Sequence, residues 1–349
     1  MLPISETLDM AILAAPVAVV ALVGLGLLML LLRKHRWGIA LLAVALLLNG
    51  WAEQIPLRMM RTLPQEKPEG VLRVFEYNVC GKGPYYPIHA RQDFIDYVLG
   101  QDADVLFLPE NSGGVCVKLE AALKKAYPYS MHSFGRSVAS CAEYSLYSRY
   151  PLSGFKNYVV DNKALLREHP YLDSLAVQGM GDHFMAYEAT ADVNGKAVML
   201  LHVHMRSNYY DIARADASRR RDKALNVYSR LVIGYAFRAA EARVIADSLG
   251  DCPNPLIICG DFNDLCGSRS IRMIQDCRHS NVHADHRDRL RDAWWEGGQG
   301  FGFTYADQHL RLRLDHILYS QELELRAVAT PRHVKYSDHR PLVADFVLH

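Results

Sequence analysis

The sequence predicts an α/β protein in which two packed mixed sheets carry helices on their outer faces, preceded by a transmembrane helical hairpin. Three observations predict this fold class. The first is a pair of long apolar runs within residues 10–52. The second is a series of eight short apolar segments with helical stretches between them, which is typical of layered α/β proteins. The third is the Asn194-Gly195 step between two of these segments, a strong signal for an antiparallel hairpin.

The two apolar runs predict a membrane segment. Residues 10–32 carry no charge and would span about 30 Å of hydrocarbon as a helix. The second run is shorter, with Trp37 and Trp51 at positions where aromatic side chains anchor at a membrane interface. Neither run has the polar face that a helix of a soluble domain shows. We therefore expect residues 1–60 to hold two transmembrane helices, at about 10–32 and 37–55.

Charges around the runs predict their orientation. The only charged residues before Met10 are Glu6 and Asp9, whereas a cleaved signal peptide carries Lys or Arg there, so we expect the segment to be retained. The connector RKHR, residues 33–36, is the densest positive cluster near either run, and positive loops stay cytoplasmic. We expect an inner or plasma membrane protein that contacts membrane lipid through residues 10–55, with its remaining chain on the extracytoplasmic side.

Composition restricts the function classes. The sequence has 39 Lys and Arg against 38 Asp and Glu, and four and three of these lie in residues 1–60, which leaves 35 of each in the rest. A tight, nonspecific grip on a nucleic acid backbone usually needs a basic surface, so this balance counts against a bulk nuclease. The seven cysteines contain no CxxC pair and give neither a zinc pattern nor a full disulfide set.

The remaining chain is organised as a linker and one domain. Residues 53–70 hold three prolines and end in glycine, and we place the linker at 61–70 and the domain at 71–349. We expect helices at 88–100, 114–126 and much of 211–249. We expect strands at 71–79, 104–110, 143–152, 184–193, 197–205, 255–263, 312–320 and 341–349.

One predicted strand ends in polar residues. The segment PLIICGDFN places Asp261 and Asn263 two positions apart, so both side chains point the same way while Phe262 points back into the core. Gly, Asp and Asn are also the commonest turn formers, so a simple chain reversal is the alternative explanation of this segment taken alone.

Other predicted strands carry polar groups at or near their ends. A lone strand-end Asn or Asp is usually a cap or a turn, and a lone His is usually an ordinary surface or core residue. Six such coincidences on separate strands instead indicate a shared site. Carboxylate oxygens suit Mg²⁺ or Mn²⁺, and histidines and asparagines can hydrogen-bond a phosphate. The residues are Asn78, Glu110, His202 and His204, Asp261 with Asn263, Asp315, and Asp338 with His339.

The sequence resembles the endonuclease/exonuclease/phosphatase superfamily, related to pancreatic deoxyribonuclease and abasic-site endonucleases. The resemblance covers roughly residues 71–349 and keeps the order of the family's motifs, of which GDFN and SDHRP are the most specific. It implies a four-layer α/β/β/α sandwich and a metal-dependent phosphodiesterase or phosphatase. The matching segments are FEYNV, DVLFLPE, YSLYSRYPL, LLHVHMRSN, IICGDFND, GFTY with RLDHILYS, and YSDHRPLVADF.

The resemblance implies metal-binding and phosphate-binding roles. Glu110 matches the family's metal-binding glutamate, with Asn78 and Asp338 close to the same cation, Mg²⁺ or Mn²⁺. His204 matches the histidine that contacts the scissile phosphate. Ser207, Asn208 and Tyr305 are expected to bind substrate.

The resemblance also implies how water attacks phosphorus. Asp261 and Asn263 match the pair that positions or activates the water and holds the phosphate. His339 would be the general base or the transition-state stabiliser, and Asp315 would orient it. A carboxylate behind a histidine fixes its tautomer and raises its basicity.

Two positions depart from the family's pattern. Pro109 stands where Gln usually precedes the glutamate, and His202 stands where Asn is common. Neither departure removes a proposed metal ligand or acid/base group, so both bear on how the substrate fits.

The sequence leaves the substrate open among lipid headgroups, nucleotides and nucleic acids, because fold and metal site do not choose between them. The membrane segment and neutral charge favour a lipid or a small phosphorylated molecule, and a membrane-bound endonuclease or exonuclease acting on DNA or RNA is the alternative. A nonenzymatic membrane-tethered binding module is a further alternative, against which the complete set of motif residues argues. No protein partner is implied.

Overall fold

The structure is a computed structural model. It describes residues 4–57, 59–64, 66–80, 88, 91–111, 117–134, 142–161, 167, 183–207, 220–249, 252, 255–277, 289–306, 311–331 and 336–349. The helices among these residues are α1 (Ile4–Leu31), α2 (His35–Ala52), α3 (Gln92–Leu99), α4 (Val117–Ala126), α5 (Arg220–Leu249), α6 (Arg269–Gln275) and α7 (Ala293–Gly297). The strands are β1 (Leu72–Glu76), β2 (Val105–Pro109), β3 (Tyr129–Phe134), β4 (Ala142–Ser148), β5 (Leu152–Val160), β6 (His183–Val193), β7 (Lys196–His204), β8 (Leu256–Asp261), β9 (Arg291–Asp292), β10 (Tyr305–Ala306), β11 (Arg311–Leu312), β12 (Asp315–Tyr319), β13 (Leu323–Ala329) and β14 (Leu342–Leu348).

The strands form two six-stranded sheets and a small ribbon. The first sheet has the order β13-β14-β1-β2-β4-β3, the second has the order β5-β6-β7-β8-β12-β9, and β10 pairs with β11. Each sheet is mixed, because β1 and β2 run parallel in the first and β7 and β8 run parallel in the second, while their other pairs are antiparallel. The predicted hairpin is present: Val193 pairs with Lys196 across Asn194-Gly195.

Three apolar layers hold the sandwich together. Between the sheets lie side chains such as Val105, Phe107 and Ile257. Outside the first sheet, Phe94 and Val98 of α3 and Leu119 and Leu123 of α4 pack on the strands. Outside the second sheet, α5 and α6 contribute Ala242, Ile245, Ile271 and Ile274. The expected four-layer α/β/β/α sandwich is therefore confirmed.

The apolar pattern located the central strands and missed several peripheral elements. All eight predicted strands are present, and the described parts of the three predicted helical regions are helical. The sequence does not predict β3, β13, α6, α7 or the two-residue strands. It also does not predict β5, because the predicted strand at 143–152 ends where β5 begins. Most side chains of β5 are exposed, so this strand lacks the apolar alternation that marks a strand in a sequence.

The N-terminal segment is a pair of helices in contact with each other. A short connection joins α1 to α2, and Gly26 and Gly38 let the two backbones approach, since a Cβ on Gly38 would lie 2.9 Å from the Gly26 carbonyl oxygen. Within the described residues, α1 is the one helix whose length and composition suit a membrane span, over Thr7–Leu31. That the pair forms a transmembrane hairpin stays a prediction.

The segment expected to be a linker lies against the sandwich. The backbone N–H of Arg61 donates to the Gly297 carbonyl at 2.8 Å, and the Arg61 carbonyl accepts from the N–H of Val328 at 3.0 Å. These bonds hold the chain on the edge of the domain near α7 and β13.

Candidate active site

Three of the predicted site residues lie side by side at one end of the second sheet. His204 of β7 is opposite Asp261 of the parallel strand β8, and Asp261 is opposite Asp315 of the antiparallel strand β12. Side chains alternate along a strand, so register alone places these three groups in a row on one face. That face is the inner one, directed toward the first sheet.

The backbone around Asp261 depends on a glycine and an asparagine. Gly260 has φ +147°, and a Cβ there would lie 1.9 Å from the carbonyl oxygen of Val203 on β7. Asn263 has φ +50°, and its backbone N–H donates to Asp261 Oδ1 at 2.8 Å while its Nδ2 donates to the Met205 carbonyl at 2.9 Å. The segment is thus a tight turn, which was the alternative explanation of its sequence. The same turn also fixes the Asp261 carboxylate within the site.

The first sheet contributes Asn78 and Glu110. Asn78 Nδ2 donates to Asp261 Oδ2 at 3.0 Å and contacts Glu110 Oε1 at 3.3 Å, so one amide group joins residues from both sheets. Its Oδ1 accepts from the N–H of Cys80. Glu110 follows β2 with φ +55°, a left-handed conformation that ends the strand and leaves its carboxylate partly exposed.

His339 lies between two carboxylates. Its Nδ1 is 2.8 Å from Asp315 Oδ2 and its Nε2 is 3.8 Å from Asp261 Oδ2. Burial disfavours the charged imidazole, but Asp315 and Asp261 outweigh it and raise the pKa of His339 to about 10. The Tyr305 ring meets the His339 ring edge-on, with centroids 5.1 Å apart.

Two further site residues are placed by neighbouring contacts. His204 Nε2 is 3.6 Å from Glu110 Oε1 and 3.9 Å from Asp261 Oδ2. Asp338 belongs to the same short segment as His339, and Ser337 Oγ anchors this segment by donating to the Asn78 carbonyl at 2.8 Å. Six of the predicted catalytic and metal-binding side chains therefore lie together at the ends of the two sheets: Asn78, Glu110, His204, Asp261, Asp315 and His339.

Comparison with known proteins identifies the family. The model of the Endonuclease/Exonuclease/phosphatase family matches residues 76–339, which is more than half of the chain. The chain belongs to this family. A search of curated protein sequences found no significant match.

Solved structures of the Endonuclease/Exonuclease/phosphatase fold superimpose on most of the chain. An endonuclease/exonuclease/phosphatase from Bacteroides vulgatus has TM-score 0.56 and 17% identity, covering 80% of this chain and 99% of its own. The human Nocturnin catalytic domain with bound sulfate anion has TM-score 0.52 and 16% identity, covering 81% and 97%. Sphingomyelinase C from Streptomyces griseocarneus has TM-score 0.50 and 16% identity, covering 80% and 99%. At these identities the comparisons show the shared fold.

The three expected substrate-binding residues have different outcomes. Tyr305 borders His339, as described above. Ser207 lies three residues beyond the end of β7, half-buried, and Asn208 lies outside the described residues. Their binding roles stay predictions.

The departures from the family's pattern lie in the core. His202 is fully buried, with its ring edge-on to Phe107 and Tyr144 and its Nδ1 3.3 Å from the Tyr187 hydroxyl. Burial, reinforced by His204, holds the pKa of His202 well below its ordinary value, so it is a neutral core residue. Pro109 ends β2 and is also buried. Neither side chain forms part of the site's charged cluster.

Glu76 is a site residue that the sequence reading missed. It lies on β1 two positions before Asn78 and is fully buried. Burial, and then the charges of Asp315 and Asp261, raise the pKa of Glu76 well above the ordinary value. Its spacing from Asn78 was the available signal, because alternate residues of a strand share a face.

The donor set of this Endonuclease/Exonuclease/phosphatase site fits a hard divalent cation. Asp261, Asp315 and His339 offer ligand atoms within 4.8 Å of one another, and Glu110 is close to Asp261 through Asn78. Burial and the charge of Asp315 raise the pKa of Asp261 to about 6, although His339 and His204 act in the opposite direction. This concentration of carboxylates favours a cation, and oxygen donors suit Mg²⁺ or Mn²⁺. Asn78 Nδ2 faces Asp261 and Glu110, so Asn78 can offer its Oδ1 to this cation only if the amide group rotates by about half a turn.

A second acidic and histidine cluster lies nearby and has a structural explanation. Cys266, Asp292 and His316 are close enough together to hold a metal. Both oxygens of Asp292, however, accept from Arg313 Nη1 at 2.9 Å, and the His316 ring nitrogens face Asp292 and the Asp264 carbonyl. The guanidinium already supplies the positive charge, so this cluster is a buried ion-pair network.

Proposed function

We propose that this chain is a membrane-anchored hydrolase of phosphate esters that depends on Mg²⁺ or Mn²⁺. The observation that carries the proposal is the position of the Asp261 carboxylate, which accepts from Asn78 and lies 3.9 Å from His204 and 3.8 Å from His339. Residues from both sheets thus converge around the Asp261 carboxylate. Membership of the Endonuclease/Exonuclease/phosphatase family supports hydrolysis as the reaction.

Water is the nucleophile in this proposal. A P–O bond forms to the water oxygen, the ester P–O bond breaks, and the proton released by water ends on the leaving oxygen. Asp261 holds the water, and it is itself fixed by the backbone N–H of Asn263 and the amide of Asn78. A nucleophile held in line with the phosphorus needs no search for the reactive geometry, which lowers the barrier.

The histidines stabilise charge on the phosphate. Because Asp315 occupies His339 Nδ1, the other ring nitrogen, Nε2, faces Asp261 and the substrate space. An imidazolium held there donates a hydrogen bond to a phosphate oxygen, and the raised pKa of His339 favours that form. His204 Nε2 approaches from the opposite side of Asp261 and provides a second donor.

The divalent ion completes the charge balance. Glu110 would hold it, with Asn78 and Asp338 close to the same ion. When bound, it neutralises charge on the phosphate oxygens and so assists attack by water.

Hydrolysis of a generic ester tests the proposal. Full-length protein in detergent should hydrolyse bis(p-nitrophenyl) phosphate with Mg²⁺ or Mn²⁺ and lose this activity in EDTA. Asp261→Ala and His339→Ala should each lower the rate by about 100-fold or more. Asp102→Ala, which alters an exposed ion pair with Arg149, is the control and should keep full activity. Equal rates in all four proteins, or a rate insensitive to EDTA, would contradict the proposal.

Membrane anchorage and orientation are part of the same proposal. The length and composition of α1 support a span, and the basic connector at 33–36 supports a cytoplasmic turn with the catalytic domain outside. Protease added to spheroplasts should digest the catalytic domain. Digestion only after lysis would place the domain in the cytoplasm instead.

A further inference from the structure

The end of the helix pair away from its connector is joined to the catalytic domain by polar contacts. Asp9 of α1 accepts from the backbone N–H of Arg269, at the start of α6, at 2.8 Å. The Trp51 carbonyl of α2 accepts from the guanidinium of Arg272. Gln54 Nε2 donates to the Cys266 carbonyl at 3.2 Å. These bonds span both helices, so the pair and the domain are held in one arrangement.

Apolar packing strengthens the same junction. Ile12, Ala15 and Ala52 of the helix pair form one buried cluster with Leu265 and Leu314 of the domain. The contact is close enough to require a glycine: Gly267 has φ +81°, and a Cβ there would lie 2.7 Å from the Ala52 carbonyl oxygen.

The domain side of this junction is also a wall of the active site. Leu265 follows Asn263 by two residues, and Leu314 directly precedes Asp315. Tyr305, whose ring contacts the ring of His339, packs against the same cluster. Tyr305 therefore links the junction with the helix pair to His339.

The length of α1 sets the level of this wall relative to a membrane. The residues from Ile12 to Leu32, at 1.5 Å rise each, span about 30 Å, the thickness of the hydrocarbon core. If the basic connector at residues 33–36 lies at one surface of the membrane, Ile12 lies at the opposite surface. Side chains of α1 such as Val17 and Val20 are 74% and 56% exposed, as lipid-facing residues would be. The Tyr305 side of the site then borders the membrane surface.

The segment after α2 adds an apolar edge, close in the chain to the end of this helix. Leu57 and Met59 are 67% and 89% exposed, a few residues beyond Trp51. Large apolar side chains left exposed beside a membrane helix indicate insertion into the interface.

We infer that the substrate is a membrane lipid whose headgroup phosphate ester enters the site along the Tyr305 side from the bilayer surface. This inference rests on the proposed hydrolase function. A lipid reaches such an opening by diffusing in the membrane. A nucleic acid would have to bring its charged backbone against the same surface without the help of a basic domain, since Lys and Arg only balance Asp and Glu in residues 61–349.

A comparison of substrates tests the inference. Full-length protein is reconstituted in vesicles of phosphatidylcholine, phosphatidylglycerol, phosphatidylinositol and sphingomyelin with Mg²⁺, and headgroup release is measured by phosphorus NMR. Bis(p-nitrophenyl) phosphate, a single-stranded DNA and an RNA are assayed in parallel. Cleavage of at least one lipid should exceed cleavage of every soluble ester by about 100-fold or more at equal bulk concentration, because the membrane concentrates lipid at the site. Equal or preferred cleavage of DNA, RNA or the soluble ester would overturn the lipid assignment and leave the hydrolase standing. Failure to cleave any ester would instead overturn the hydrolase.

Substitution of the apolar edge provides a second readout. Leu57→Ser with Met59→Ser should lower lipid turnover at least about 10-fold and leave hydrolysis of bis(p-nitrophenyl) phosphate unchanged. Val159→Ser on strand β5 also removes an exposed apolar side chain and is the matched control, with both rates expected unchanged. If the double variant keeps full lipid turnover, or loses both activities equally, entry from the bilayer surface is wrong.

Discussion

Asp261 and Asp315 lie opposite each other on neighbouring antiparallel strands, and each faces one nitrogen of the same imidazole, that of His339. Sheet register thus places the Cα atoms of the two aspartates opposite each other. The Asp315 contact is a hydrogen bond at 2.8 Å, whereas the Asp261 contact at 3.8 Å is longer than a hydrogen bond. The two aspartates are therefore not equivalent: Asp315 hydrogen-bonds the ring, and Asp261 contacts it only at longer range.

Asp315→Asn should lower kcat/KM by about 100-fold or more while the fold is retained. The amide cannot provide the negative charge that supports protonated His339, so the pKa of His339 should fall toward its ordinary value. The pH profile of kcat/KM and the NMR titration of His339 measure the two effects. Asp102→Asn, at an exposed site, is the matched control. A variant with the pH profile of the unchanged protein would show that Asp315 does not act through His339.

Asn263→Gly should separate catalysis from backbone conformation. Glycine accepts φ +50° and keeps the backbone N–H that donates to Asp261, so the turn should survive while kcat/KM falls by about 100-fold. Asn263→Ala should show the same kinetic loss with a stability about 1 kcal/mol below that of Asn263→Gly, because alanine, unlike glycine, has a Cβ that disfavours that conformation. Asn194→Gly, at a left-handed position of the β6–β7 hairpin, should leave kcat/KM unchanged. Full activity in Asn263→Gly would assign the Asn263 side chain a purely conformational role.

Gly260→Ala should destabilise the domain by about 3 kcal/mol, since the new methyl group would overlap the Val203 carbonyl and separate β7 from β8. Thermal unfolding of the detergent-solubilised protein measures the change. Gly195→Ala is the matched control: its φ is also positive, at +86°, but no atom lies within 4 Å of the added Cβ, so about 1 kcal/mol is expected from strain alone. Similar losses at the two positions would mean that the close approach of β7 is not required.

Asp292→Asn should lower the free energy of unfolding at neutral pH, and it should lower this free energy less in acid. Burial alone would raise the pKa of Asp292, but Arg313 and His316 hold it well below its ordinary value of about 4. A depressed folded-state pKa contributes stability above the unfolded pKa and loses it as pH falls below about 4. Removing one partner of the buried pair should cost about 3 kcal/mol at pH 7, as measured by denaturant unfolding.

The control for this prediction is Asp102→Asn, which removes an exposed ion pair and should cost about 1 kcal/mol or less. The difference in unfolding free energy between the unchanged protein and Asp292→Asn should shrink as pH is lowered from 5 to 3. A difference that stays constant over this range would show that the charge of Asp292 is not the source of its contribution.

Central strands were predictable because both of their faces are buried. β1, β2 and β8 are buried at every position, and such continuous apolar runs are easily recognised in a sequence. β5 was not, since solvent covers much of it, and α6 has only seven residues, too few for a periodic pattern. The exposure of β5 depends on which other elements pack on it, and the sequence of this strand does not contain that information.

The candidate site was predictable at the strand ends and not behind them. Asn78, His204 and Asp261 stand out as polar residues at the ends of apolar runs, and His339 stands out just before the last one. Glu76 stands within such a run, and its raised pKa follows from burial beside Asp315 and Asp261, which only the assembled sheets create. The junction of Leu265 and Leu314 with the helix pair is likewise formed by residues far apart in the chain.

The bond from Ser337 to the Asn78 carbonyl joins positions 259 residues apart. During synthesis, the part of the chain that carries Asp261 and Glu110 therefore precedes the segment that carries the imidazole of His339. The cluster of side chains around Asp261 is therefore completed only when residues 337–339 have joined the two sheets.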